Sequence, residues 1–117
     1  MINLKGKRVY LACGRTDMRM GLNGLTARIE MSFRLDPFDG GIFIFCNRNR
    51  NLIKAVEWDG NGFWLHSKRL ERGQFPWPTE GTEATMSITG DELSLLLNGM
   101  KVEQKLKRNE IVERRIV

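Results

Sequence analysis

The chain has 117 residues, of which 41% are hydrophobic and 28% charged, with a formal net charge of +5. That length suits one domain burying about two-thirds of its unfolded surface, and the composition excludes wholesale disorder. No apolar run nears the roughly 18 residues that span a bilayer and the amino terminus lacks a long signal-peptide core, so a cytoplasmic protein without membrane contact is expected.

Residues 8–12 (RVYLA) alternate apolar with other side chains and precede Gly14, which predicts a short strand ending in a turn. Thr16 then stands before the series Met18, Leu22, Leu25 and Ile29, whose steps of four, three and four place one apolar face on a helix with Thr16 as its N-cap. Gly21 and Gly24 weaken that helix or shorten it. Asp36-Pro37 and Asp39-Gly40-Gly41 end it, because proline biases its predecessor away from helical geometry and glycine accepts positive φ.

Residues 42–46 (IFIFC) are apolar on both faces, as in a central strand. The polar segment 47–51 (NRNRN) predicts a hairpin loop, residues 52–58 the returning strand, and Asp59-Gly60-Asn61-Gly62 a second reversal into residues 63–68. If both hairpins pair symmetrically about their loops, Ile42, Ile44, Cys46, Leu52, Lys54, Val56, Trp58, Phe63 and Leu65 share a core face beneath the helix after Thr16. Phe43, Phe45, Ile53, Ala55, Glu57, Trp64, His66 and Lys68 then share the other face. The segment RLERGQFPWP (69–78) carries too much glycine and proline to extend a strand and is expected to wrap an edge. A further strand over 84–88 and a helix over 92–98 follow, the latter introduced by cap chemistry at Thr89-Gly90-Asp91 and stopped by Gly99.

Positive charge is uneven. Residues 1–15 carry Lys5, Lys7, Arg8 and Arg15 and no acid; residues 47–72 and 101–117 each hold six basic and three acidic side chains; residues 73–100 hold four acids and no base. Such asymmetry predicts a polyanion or an acidic protein as partner.

Catalytic constellations are poorly supported. A metal-dependent nuclease needs two or three carboxylates converging on ions about 4 Å apart. Of the candidates Asp17, Asp36, Asp39, Glu57, Asp59, Glu71, Asp91 and Glu92, most sit where caps and turns want them, Asp17 and Asp91 at helix starts and Asp36, Asp39 and Asp59 in turns. The single histidine, His66, neighbours Ser67, and strand neighbours point to opposite faces, so no hydrolytic triad forms. Cys13 and Cys46 lack CxxC spacing and cannot complete a zinc set with one histidine; both are expected to be reduced packing residues. No phosphate-binding glycine motif is present, and no metal or cofactor is expected. Phe43, Phe45 and Trp64 beside Lys68 resemble a base-stacking platform, but a second small core beneath the C-terminal helix accounts for them better.

The runs VYLACGRTDMRMGLNGL (9–25), DPFDGGIFIFCNRNRNLIKAVEWDGNGFWL (36–65) and KRLERGQFPWP (68–78), followed by ELSLLLNG (92–99), together resemble the TnpB-type accessory proteins of IS-sixty-six-type bacterial insertion sequences. The resemblance covers roughly residues 8–100 in colinear order. One departure is Met20, where the family usually carries a basic residue after Asp-Met-Arg. The resemblance implies a small protein encoded beside a much larger transposase and required for, or assisting, movement of the element; with the weak catalytic constellations, a non-enzymatic role is expected.

Together these readings predict a single α+β domain over residues 1–100, of order β-α-β-β-β-β-α with a central antiparallel meander packed by helices. Residues 101–117 are expected to form a basic extension, partly disordered at its end. The expected role is binding of DNA, or of a DNA–transposase complex, through Arg15, Arg48, Arg50, Lys54, Lys68, Arg69 and Arg72, although Lys54 falls on the predicted core face. The alternative is an adaptor that docks an acidic patch of the transposase without touching DNA.

Overall fold

The computed structural model describes residue 4 and residues 6–98; the expected basic extension lies outside the described residues. Seven elements follow in the expected order: β1 (Val9–Ala12), α1 (Leu22–Met31), β2 (Ile42–Cys46), β3 (Leu52–Trp58), β4 (Phe63–Arg69), β5 (Thr85–Ile88) and α2 (Gly90–Leu97). They build one five-stranded mixed sheet of order β4-β3-β2-β1-β5. β1 and β2 are parallel, and every other neighbouring pair is antiparallel. Parallel neighbours need a crossover between them, and α1 supplies it.

The sheet lies between two helices. On one face Leu25 and Ile29 of α1 pack with Phe43, Phe45 and Val56; on the other Leu93 and Leu96 of α2 pack with Ile42, Ile44, Cys46, Ile53 and Ala55. All five β2 residues are buried, as expected for a strand apolar on both sides.

The expected faces of the meander are corrected in one respect. The β3/β4 register matches symmetric pairing, Trp58 opposite Phe63, but β2 and β3 are shifted by one residue, Cys46 lying opposite Ile53 rather than Leu52. A one-residue shift moves every side chain of a strand to the other face. Ile42, Ile44 and Cys46 therefore share their face with Ile53 and Ala55 and lie under α2, and Phe43 and Phe45 lie under α1 instead of the C-terminal helix. Trp64 is not beside them: it sits on the α2 side of the sheet, 56% exposed and stacked on His66 at 5.7 Å. The stacking platform is thus not assembled.

Thr16 is not a helix cap. α1 begins at Leu22, with Gly21 as the cap residue and no side-chain cap bond. The Thr16 N–H donates to the Cys46 carbonyl at 2.7 Å, and its hydroxyl accepts from Arg28 Nη1 at 2.7 Å, so this buried threonine ties the exit of β1 to the end of β2. Leu22, Leu25 and Ile29 nevertheless face the core as the spacing predicts. At α2 the cap chemistry expected at residues 89–91 centres on Thr89, and the helix starts at Gly90 rather than Glu92: Glu92 N–H donates to Thr89 Oγ1 at 3.1 Å and Thr89 N–H to Glu92 Oε1 at 3.0 Å, a reciprocal capping box, while the stop expected at Gly99 lies outside the described residues.

The segment after β4 does not wrap an edge. Because β5 pairs with β1 at the far side of the sheet, the chain must cross from one edge to the other. It does so on the α2 side, burying Phe75 and Trp77 to 1% exposure. Phe75 N–H donates to the Arg50 carbonyl at 2.6 Å, Trp77 Nε1–H to the Ala12 carbonyl at 2.9 Å, and Gly14 N–H to the Pro78 carbonyl at 2.9 Å. This strap underlies the ends of β2 and β1.

Candidate nucleic-acid interface

Parallel β1 and β2 finish at the same end of the sheet, where β3 begins and β4 finishes. Three connections therefore meet there, and they carry Arg15, then Arg48 and Arg50, then Arg72, with Arg69 closing β4. The topology gathers at one rim five of the seven basic residues expected to contact DNA.

The hairpin between β2 and β3 is held by its own asparagines. Asn47 Oδ1 accepts the N–H groups of Asn51 and Leu52 at 2.9 and 3.1 Å, and Asn47 Nδ2 donates to Asn51 Oδ1 at 2.7 Å. Arg50 adopts φ 58, a left-handed conformation that non-glycine residues other than asparagine and aspartate adopt at a cost. The loop carbonyls then turn onto the strap: Asn51 accepts from Leu70 N–H at 2.8 Å, Asn49 from Gln74 Nε2 at 2.9 Å, and Arg50 from Phe75 N–H. With its backbone so committed, the loop presents its arginine side chains from a fixed frame.

Between this hairpin and the turn after β1 lies a recess of about 430 Å³, lined by Arg15, Arg48, Arg50, Trp77, Pro78 and Glu80 among others. Gly14, at φ 77, closes one side, and a Cβ there would stand 2.3 Å from Glu80 Cγ. Gly14 thus admits the Glu80 stem across its backbone. Sequence reading missed Trp77, Pro78 and Glu80 as members of this site. Their placement depends on β5 crossing to pair with β1, and no local pattern encodes that.

Charge pairing differs between the two ends of the sheet. At the opposite end Lys7 meets Glu57 at 2.9 Å and Arg8 meets Asp39 at 3.2 Å. At the arginine rim Arg69 lies 3.7 Å from Glu71, both well exposed, which is a weak pairing. Among the described residues, none of Arg15, Arg48, Arg50 and Arg72 has a carboxylate oxygen within 4.0 Å.

The two lysines stand apart from this rim. Lys54 Nζ donates to the carbonyls of Met18 at 2.7 Å and Met20 at 3.1 Å, anchoring the turn before α1 to the middle of the sheet. Lys68 Nζ donates to the Leu97 carbonyl at the end of α2. It borders an apolar groove of about 360 Å³ whose walls include Ile53, Ala55, His66 and Leu97. His66 Nε2 is buried there without a hydrogen-bond partner among the described residues.

The titratable groups near these features are occupied. Burial pushes the Cys46 thiol up to about 12, against the smaller opposing pull of the Asn47 N–H and the Arg50 charge, so it is neutral behind the recess. Hydrogen bonds from the Arg19 side chain and N–H hold Asp17 down at about 2. Asp59 is lowered chiefly by the Trp64 indole N–H, which it accepts at 2.6 Å. Among the described residues no three His, Cys, Asp or Glu side chains come together in a group that could hold a metal ion, and no helix is long and apolar enough to cross a membrane.

Residues 7–107 match the family described as IS66 Orf2 like protein. The chain belongs to that family. This agrees with the resemblance carried by residues 8–100 and makes the chain a transposition-associated accessory protein of an insertion sequence. Two proteins of Sinorhizobium fredii (strain NBRC 101917 / NGR234) are similar to it. The uncharacterized protein y4hO is 43% identical over 94 residues, covering 80% of each chain. The uncharacterized protein y4jC is 33% identical over 96 residues, covering 82% of this chain and 81% of its own. No solved structure matches the chain. Met20 is half-buried against the α1 side of the core and offers its carbonyl to Lys54.

Proposed function

We propose that this accessory protein performs no chemistry of its own and binds DNA, alone or with the transposase of its element, through the arginine rim. The observation that carries this reading is the contrast in pairing: at one end of the sheet Lys7 and Arg8 are paired with Glu57 and Asp39, whereas Arg15, Arg48, Arg50 and Arg72 at the other have no carboxylate partner among the described residues. Unpaired guanidinium groups on a fixed frame suit phosphate oxygens, which they engage in charge-assisted pairs. Arg69 closes the rim, and Lys68, next to it on β4, adds a further cation beside the end of α2. Lys54 supports the turn before α1 and reaches DNA only indirectly.

The test is binding of element-end and random duplexes across a salt series. Each phosphate neutralised contributes about 0.9 to the slope of log affinity against log salt, so replacing Lys68, Arg69 and Arg72 together with alanine is expected to flatten the slope by about 2 to 3. An unchanged slope refutes the reading.

A second reading, an adaptor that docks the transposase without DNA contact, is favoured by exposed Trp64 and Leu65 on β4, the outermost strand. Co-purification with the transposase after nuclease treatment, together with no shift of element-end DNA by the isolated protein, supports it.

A further inference from the structure

Arg50 stands where local chemistry favours another residue. The hairpin contains three asparagines, the non-glycine type that best tolerates left-handed backbone, yet the left-handed position at φ 58 is given to arginine. Arg34, at φ 55, is the other non-glycine described residue with positive φ, and a local reason exists there: it follows α1, whose end is closed by Leu35 N–H bonding back to the Ile29 carbonyl at 3.0 Å. Arg50 follows no helix. What it does is line the recess with Arg48 and Arg15.

We infer that this recess is a binding site for the phosphate of an unpaired or terminal nucleotide. The inference rests on the DNA-binding reading and narrows it. Arg15 enters from the turn after β1 and Arg48 and Arg50 from the hairpin, so the cations approach a bound anion from two sides. A phosphate in the rail of a duplex exposes only its outer side, whereas one at a strand end or in an unpaired stretch can enter a hollow. The hollow is of nucleotide-binding size, near the lower end of the 300–1,000 Å³ usual for small-ligand sites. Its floor is fixed: Trp77 is buried with its indole N–H committed to Ala12, and Gly14 is bonded to Pro78. Trp77 therefore supplies a wall and not a stacking surface.

Glu80 completes the chemistry. It is the acidic residue in the lining, and none of the three arginines lies within 4.0 Å of its carboxylate. A carboxylate beside an anion site opposes a bare anion but accepts a hydrogen bond from a hydroxyl or amino group. A ligand that offers both a phosphate and a nearby donor, as a nucleotide does through its sugar or base, satisfies both halves of the recess.

The experiment uses fluorescence anisotropy with a labelled single strand bearing a 5′-phosphate, the same strand with a 5′-hydroxyl, and a blunt duplex of that sequence, alongside thermal unfolding. Arg50→Gly relieves the left-handed backbone and is expected to raise the melting temperature by about 3 °C. It is expected to weaken binding of the 5′-phosphorylated strand about tenfold and of the duplex by a smaller factor, about threefold, because Arg50 also belongs to the rim. Arg34→Gly is expected to leave all three affinities unchanged. Glu80→Gln, which removes the charge and keeps an acceptor oxygen, is expected to let inorganic phosphate compete better. Equal losses on single strand and duplex in Arg50→Gly, or no preference of the parent protein for the phosphorylated strand over the duplex, overturn the inference and leave the DNA-binding reading standing. No binding of any of the three probes by the parent protein overturns both.

Discussion

Lys54 separates a structural lysine from a DNA-binding one. Its ammonium joins the middle of β3 to the carbonyls of Met18 and Met20, at 2.7 and 3.1 Å, across more than thirty residues of sequence. A hydrogen bond from a charged donor contributes about 1.5 to 3 kcal/mol in buried surroundings. Lys54 is half-buried and the freed carbonyls lie near solvent, so the lower end applies, and part of each bond is recovered by water. Replacing Lys54 with methionine, which keeps the apolar stem, is therefore expected to cost about 2 kcal/mol, or about 8 °C in melting temperature for a domain of this size. Urea unfolding measures the loss, and duplex affinity is measured in parallel where the variant stays folded. Stability within about 0.5 kcal/mol of the parent, combined with weaker DNA binding, would refute the structural assignment and return Lys54 to the interface.

Other substitutions test the frame of the rim. Trp77→Phe removes the indole bond to the Ala12 carbonyl and is expected to destabilise by about 2 kcal/mol in urea, because that carbonyl loses its partner in a buried setting. Thr89→Ala breaks the capping box of α2 and should cost about 1 kcal/mol, an effect absent in Thr89→Ser, which keeps the acceptor. Cys46 should resist thiol reagents at pH 8 in the folded protein and react at once in denaturant. Its pKa is raised from the usual 9.0 to about 12 on folding, so the unfolded chain loses its proton first. The associated stability is full below pH 9 and is lost as pH climbs towards 12; Cys46→Ala should flatten that part of the profile.

Much of this architecture is legible in single segments of sequence. Asp59-Gly60-Asn61-Gly62 sets the second hairpin in its true register, and Thr89-Gly90-Asp91 marks the start of α2. The first hairpin resists the same treatment for a physical reason. Register is normally read from the alternation that keeps one face apolar, but β2 is buried on both sides, so a shift of one residue costs nothing visible in its pattern. The choice lies instead with the loop, where Asn47 bonds to Asn51 and Leu52 and pairs with Leu52 across four intervening residues. Five consecutive polar residues are compatible with either closure.

The recess was hidden for a related reason. Arg15, Arg48 and Arg50 are recognisable as candidate cations one by one, but their convergence follows from β1 lying parallel to β2, which carries both strand ends to the same rim. That pairing in turn obliges the chain after β4 to cross the sheet before β5 can add to β1, and the crossing places Trp77 and Pro78 beneath the arginines. The same backbone choice that completes the core thus floors the candidate site. Substitutions in the strap should consequently disturb binding and stability together, whereas Arg15 and Arg48, which protrude from that floor, can be changed with little effect on folding.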